Sequence, residues 1–161
     1  MTPESVVLQI LSPEDWRLFR ALRLEALREA PYAFSTALAG WQGEGDAESR
    51  WRARLTDVPL NLVARYEGTP AGMASATAPT NGTSELISMW VAPHARGKGV
   101  ASALIDAVAS WARAGGVEFV ALDVREENHY ARRSYERYGF VDRGRVDALE
   151  PFERRMLLRL D

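Results

Sequence analysis

The chain has 161 residues, 47% of them hydrophobic and 26% charged, which suits one folded domain and not a disordered chain. Twenty basic residues against twenty-two acidic ones leave a formal charge of -2, and that balance argues against a dedicated nucleic-acid binder. With no cysteine and only two histidines, His94 and His129, disulfides, thiolate nucleophiles and cysteine- or histidine-rich metal centres are excluded or improbable.

Residues 6–11 are a short apolar run with β-branched members, and Ser12-Pro13-Glu14 then reads as a helix start. Over residues 14–30, Trp16, Phe19, Leu22, Leu24 and Leu27 keep a helical rhythm that Pro31 stops. Gly40, Gly43 and Gly45 make a loose loop, after which residues 48–55 suggest a short second helix. Strand patterns follow at 60–66, 71–78 and 85–91, separated by the turns Glu67-Gly68-Thr69-Pro70 and Pro79-Thr80-Asn81-Gly82. Val100, Leu104, Ile105, Val108, Trp111 and Ala112 mark an amphipathic helix closed by Gly115-Gly116. A strand at 119–124, a helix at 128–138 and strands at 140–146 and 152–160 complete the chain. The order predicts a mixed α/β (α+β) protein: a mostly antiparallel sheet with helices as crossovers, in a single domain over residues 1–161. Residues 1–10 lack signal-peptide features, and no run approaches the roughly 18 apolar residues needed to span a bilayer. A cytoplasmic protein without membrane contact or structural metal is the expectation.

The most informative stretch is Val91-Ala92-Pro93-His94-Ala95-Arg96-Gly97-Lys98-Gly99-Val100-Ala101, between a strand and a helix. Amides at a helix start have no intrahelical acceptor and favour anions, by about 0.3–1 kcal/mol per exposed charge. Gly97 and Gly99 would let the backbone approach phosphate oxygens, and Arg96 and Lys98 add positive charge. The bland alternative is a glycine-punctuated turn with two solvated basic residues. A Walker loop is set aside because Val100 follows Gly99 where Ser or Thr is needed, and a dinucleotide fingerprint because the spacing does not fit its third glycine and downstream ribose-binding acid within a βαβ unit.

A second pattern places Asn128, Ala131, Tyr135 and Gly139 within one narrow helical stripe. An amide, a methyl, a phenol and a glycine are too polar a set for an ordinary core face, and they suit a surface lying along a ligand. Gly139 reads as the C-terminal cap. The competing reading of Tyr135 is a packed aromatic whose hydroxyl reaches water. In the strand at 85–91, strict alternation puts Glu85 on the face of Ile87, Met89 and Val91. A carboxylate opening an apolar face is costly unless it is exposed or useful. Glu85 is therefore either a solvated residue after the Asn81-Gly82-Thr83-Ser84 turn or a functional one, in which case burial should raise its pKa.

Arg96-Gly97-Lys98-Gly99-Val100-Ala101 matches every fixed position of the acyl-CoA loop Arg/Gln-x-x-Gly-x-Gly/Ala, and the Asn128 to Phe140 pattern matches a second signature, Asn-x-x-Ala-x-x-x-Tyr-x-x-x-Gly-Phe. On these residues the chain resembles the GNAT N-acetyltransferase superfamily, from about Glu85 to Phe140, and its whole element order agrees with that fold. The resemblance implies a GNAT-like central mixed, mostly antiparallel seven-stranded sheet flanked by about four helices. It implies that acetyl-CoA is the cosubstrate and that no metal is required. Amides of Gly97, Lys98, Gly99, Val100 and Ala101 would hold the pyrophosphate, with Arg96 beside them. The strand edge at Met89, Trp90 and Val91 would pair with the pantetheine, Asn128 would contact the pantetheine or the adenosine end, and Ala131 and Ser134 would line the cofactor from the helix. Tyr135 would protonate the departing thiolate, and Glu85, six residues before Val91, would deprotonate the amine.

The acceptor would be a primary amine, small molecule rather than protein, and nucleic acid is not expected as a partner. Homodimers are common in the family. The expected acceptor side is formed by residues 31–36, Trp41, Trp51 and residues 147–152, with Asp147 and Glu150 as possible anchors for a cation. Trp16, Phe19 and Trp51 at helical spacing read as core. The cations of Arg50-Trp51-Arg52-Ala53-Arg54 and Arg132-Arg133 read as solvated helix faces, with a place near the CoA 3′-phosphate as the alternative for the latter pair. His94, His129, Tyr130 and Tyr138 read as surface or structural residues. An acyl-CoA-binding regulatory module of the same fold remains the alternative to an enzyme.

Overall fold

The computed structural model describes residues 5–31 and 38–161. Seven strands form one sheet: β1 (Val6–Ile10), β2 (Leu60–Tyr66), β3 (Thr69–Ala76), β4 (Thr83–Val91), β5 (Phe119–Arg125), β6 (Val141–Arg145) and β7 (Glu153–Arg159), in spatial order β1-β2-β3-β4-β5-β7-β6. Every neighbouring pair is antiparallel except β4 with β5. Four helices accompany it: α1 (Trp16–Glu29), α2 (Glu48–Asp57), α3 (Val100–Ala114) and α4 (His129–Tyr138). The expected element order and fold class are both observed.

Alternation along β2 sorts the core into two layers. Leu60, Leu62 and Ala64 face the apolar side of α3, where Val100, Leu104, Ile105 and Val108 are buried with them. Val63 points the other way and packs with Met73 and Trp90 against Phe19, Leu22 and Ala26 of α1 and Trp51 and Leu55 of α2. Both faces of the central strands are covered, which is why β2 and β3 read as nearly continuous buried runs.

The glycine-rich segment before α2 is not loose. It forms two 3-10 turns, Leu38–Trp41 and Gly43–Gly45, which the Arg50 guanidinium ties by donating to the carbonyls of Gly40 and Gly45 while lying over the Trp41 ring. Trp41 in turn packs on the fully buried Trp51, ring centroids 4.3 Å apart.

The sheet's register shifts at three places, between Ala64 and Arg65 of β2, between Asp142 and Arg145 of β6, and opposite β4, and only the last bears on the site. The β3–β4 register slips between Met73 and Ser75, so that Trp90 pairs with Met73 but Ile87 pairs with Ser75. Three steps on β4 oppose two on β3, which is a bulge, and Ser88 sits there with φ +53. Strict alternation through this strand is therefore wrong. Glu85 and Ile87 lie on one face, whereas Met89 and Val91 lie on the other and pack with the α3 layer. A left-handed serine has no signature in hydrophobic pattern, so the reversal could not be read from sequence.

Candidate active site

β4 and β5 pair only from Thr83 with Phe119 to Glu85 with Ala121, and then diverge. β5 stays zipped to β7 along its whole length, so the opening lies on its β4 side. Two cavities occupy the fork. The first, about 380 Å³, runs from the fork toward α1 and α2 and is bounded by Glu85, Ser88, Asp123 and Arg54. The second, about 200 Å³, lies between Trp90 and Val91 on one side and Tyr130 and Ser134 on the other. They meet at Met89, Asn128, Ala131 and Tyr135, which border both.

At the outer end of the second cavity lies the loop into α3. Gly97 and Gly99 have φ of +75 and +84, left-handed values that β-carbon-bearing residues adopt only at a cost. The amides of Gly97, Lys98, Gly99, Val100 and Ala101 donate to no backbone carbonyl among the described residues. The Val100 side chain is buried, so its contribution to the outside is its amide. Arg96 is anchored: Nε donates to the Val91 carbonyl at 3.0 Å and the guanidinium pairs with Glu29 of α1. Unbonded amides beside an anchored cation, at the end of an apolar-walled cleft, fit the diphosphate and pantetheine of a CoA thioester.

α4 starts at Asn128, whose Oδ1 accepts from the Ala131 amide at 3.3 Å, and ends at Gly139 with φ +128. Asn128 thus caps the helix that carries Ala131, Ser134 and Tyr135 to the cavities. Tyr135 is 8% exposed, its ring edge-on to Phe140 with centroids 5.6 Å apart. Burial pushes its phenol well above the ordinary value, so it keeps its proton throughout the neutral range.

Glu85 borders the first cavity but is not buried. Its side chain is 44% exposed and accepts from Arg155 Nη1 at 2.8 Å, a nitrogen that also reaches Asp123 at 3.1 Å. The ladder puts these two carboxylates on either side of the fork, joined by one cation from β7.

The remaining acceptor-side expectations divide. Trp41 and Phe19 border the first cavity, while Trp51 is core, its indole N–H donating to Asp46 at 2.8 Å. Tyr32, Ala33, Phe34, Ser35 and Thr36 lie outside the described residues. Asp147 and Glu150 are exposed; Glu150 borders a separate surface hollow with His129 and Phe152, away from the fork. His94 and His129 are exposed, as expected.

Arg132 is held by the Glu126 carbonyl at 2.8 Å and by Asp142 at 3.5 Å, leaving Arg133 as the exposed member of that pair. The reading of Arg54 as a solvated residue is overturned. It turns inward over the Phe19 ring and donates to Asn61 Oδ1 at 2.8 Å and Ser88 Oγ at 3.1 Å. Arg23 of α1, which the sequence reading does not single out, is buried at the same cavity, and Tyr130, expected to be structural, borders the second cavity although 55% exposed. Arg54 is three residues from the buried Trp51, a helical spacing that places both on one face and could have flagged it.

No curated protein matches the chain in sequence. Among solved structures, an acetyltransferase of the GNAT family from Streptococcus pneumoniae is 20% identical, with TM-score 0.77 over 97% of this chain and 99% of that one. The PaiA N-acetyltransferase from Thermoplasma acidophilum, solved in complex with coenzyme A, is 16% identical, with TM-score 0.76 over 96% and 99%. YncA, a putative acetyltransferase from Salmonella typhimurium solved with its cofactor acetyl-CoA, is 20% identical, with TM-score 0.69 over 98% and 95%. The model of the acetyltransferase (GNAT) family matches residues 21–140, from within α1 through the loop into α3 and the whole of α4, and the chain belongs to that family.

Proposed function

We propose that the protein is an N-acetyltransferase that moves an acetyl group from acetyl-CoA to a primary amine by direct attack in a ternary complex, the whole chain acting as one catalytic domain. One observation carries the reading. Tyr135 borders both cavities of the fork, so a thioester entering along Trp90 and Val91 and an acceptor entering past Glu85 would meet at that phenol.

Acetyl-CoA supplies the activated acyl carbon. Amides of residues 97–101 bind its diphosphate, and the unpaired edge of β4 at Met89 to Val91 pairs with its pantetheine. An alkylammonium has a pKa near 10.4, so the nucleophilic free amine is scarcer by more than about 10³ at pH 7. Glu85, directly or through water, takes that proton. The new N–C bond forms as the C–S bond breaks, and Tyr135, held neutral, gives its proton to the departing sulfur and recovers one from the acetylated nitrogen. The absence of cysteine favours this direct route over a covalent acyl-enzyme.

The test measures heat on titrating acetyl-CoA and thiol released against a panel of amines. Binding with release supports the enzyme. Binding without release on any amine points instead to an acyl-CoA-binding regulatory module. Acetyl-CoA at a hundred times its Kd should stabilise the fold by about 2.7 kcal/mol, and no shift in Tm would count against both.

A further inference from the structure

The first cavity carries more charge than amine chemistry requires, and the charge is sorted. Its cations, Arg54 and Arg23, come from the helices α2 and α1 and lie near enough to feel each other's charge, while its carboxylates Glu85, Asp123 and Glu153 come from β4, β5 and β7. Arg155 already serves the carboxylate end by bridging Glu85 and Asp123.

Arg54 has no such counterion. Its partners are an amide oxygen, a hydroxyl and an aromatic ring, all neutral, and among the described residues no carboxylate comes within ion-pair distance. Burial draws its pKa down to about 10, and burial followed by the field of Arg54 draws Arg23 to about 10 as well. Both stay charged at neutral pH. A partly desolvated cation is expensive unless an anion shares its site, and here a second cation stands close by.

The geometry around Arg54 is also built. The β4 bulge turns Ser88 into the left-handed region and presents its Oγ to the guanidinium. Asn61, fully buried, accepts from Arg54 and from Ser75 Oγ through the same Oδ1, while its Nδ2 is bound by the carbonyl of Val58. The guanidinium is therefore fixed at the mouth of the fork, where β4 leaves its ladder. A fork-shaped donor held in place suits a planar, two-oxygen anion.

We infer that the acceptor carries a carboxylate beside its amine, the class of free amino acids, with Arg54 receiving the carboxylate and the Glu85 and Asp123 side of the cavity facing the amine. This rests on the acetyltransferase reading of the cleft, which it makes more specific. It disfavours polyamines, whose second ammonium would meet Arg54.

Amino acids and their amides differ in amine basicity as well as in charge, so rates alone would confuse the two effects. The decisive test titrates N-acetylated products into the intact protein saturated with CoA. N-acetylglycine, N-acetylmethionine, N-acetylphenylalanine and N-acetylglutamate are each compared with the corresponding primary amide at the α-carboxyl. At least one acid is expected to bind tenfold or more tightly than its amide, equivalent to about 1.4 kcal/mol. In R54M that ratio should fall toward one, with R54K intermediate. Acids binding no better than amides throughout, no binding of either class, or an R54M protein that keeps the ratio, each overturns the inference while leaving the enzyme reading in place. If R54M does not fold, the ratio in the unmodified protein decides alone. No heat with CoA on a folded protein overturns the enzyme reading, and this inference with it.

Discussion

Two glycines of similar backbone conformation allow the loop into α3 to be tested against its own control. Gly97 has φ +75 and Gly68 has φ +84, and a β-carbon at either would meet nothing within 4 Å. Gly68 closes the two-residue hairpin between β2 and β3, with Glu67 at φ +51 beside it, on the opposite side of β4 from the fork. Alanine in the left-handed region costs about 1–2 kcal/mol, offset in part by about 0.4–1 kcal/mol from a stiffer unfolded chain. Both G97A and G68A should then lose on the order of 1 kcal/mol, a Tm drop of about 2–4 °C for a chain of this size. Only G97A puts a methyl where a diphosphate oxygen would approach the backbone. Losing one amide bond to a charged oxygen costs about 1.5–3 kcal/mol, so acetyl-CoA should bind G97A roughly 10- to 100-fold more weakly. Thermal melts and calorimetry on the two variants separate strain from contact. If G97A and G68A bind acetyl-CoA equally well, the loop does not hold the diphosphate and the reasoning fails.

Tyr135→Phe keeps the ring against Phe140 and removes only the buried hydroxyl; thiol release should fall by about 10²–10⁴-fold with acetyl-CoA affinity nearly unchanged, and a variant within twofold of the parent rate would exclude the phenol as acid. Glu85→Gln should lower the rate by about 10²-fold or more and alter the acid limb of the pH–rate profile, whereas an unchanged rate and profile would leave Glu85 as a partner of Arg155 only. Acid should unfold the protein through carboxylates held low by arginines. Arg145 and then Arg154 depress Glu126 from 4.5 to about 2, and Arg20 and then Trp51 depress Asp46 from 3.8 to about 2. A depressed carboxylate stabilises the fold above its unfolded pKa and loses that contribution as pH falls toward the folded value. Tm should therefore fall between about pH 4.5 and pH 2, and E126Q should flatten that slope; an identical slope in E126Q would remove Glu126 from the account.

How far the sequence could be read depended on whether a feature was local. The helix faces of α1, α3 and α4, the turn at Glu67-Gly68 and the cap at Gly139 each follow from spacing and residue type within one segment, and each is where the pattern places it. The amide-rich loop was legible for the same reason: it is one contiguous run. The site's other half was not. Glu85 and Asp123 are 38 positions apart in sequence and become neighbours only through the parallel pairing of β4 with β5. Arg54 looked solvated because its segment is rich in arginine, yet the same helix buries Trp51, and the inward turn follows from Asn61 and Ser88 on other strands.

The bulge at Ser88 links these failures to the function. A regular β4 would carry Glu85, Ile87, Met89 and Val91 down one face and could continue its ladder with β5, closing the fork. Inserting one residue sends Met89 and Val91 to the α3 layer, returns Trp90 to the α1 layer, and bends the strand as it leaves β5. A non-glycine residue at φ +53 is held there at a cost of about 1–3 kcal/mol. The surroundings sustain it through the Arg54 contact and the packing of Trp90, whose indole N–H donates to Glu29 at 3.2 Å. Glu29 is also the partner of Arg96 at the phosphate loop. One carboxylate of α1 thus ties the strand beyond the bulge to the loop that follows it, so the opening of the fork and the placement of the loop are set by the same contacts.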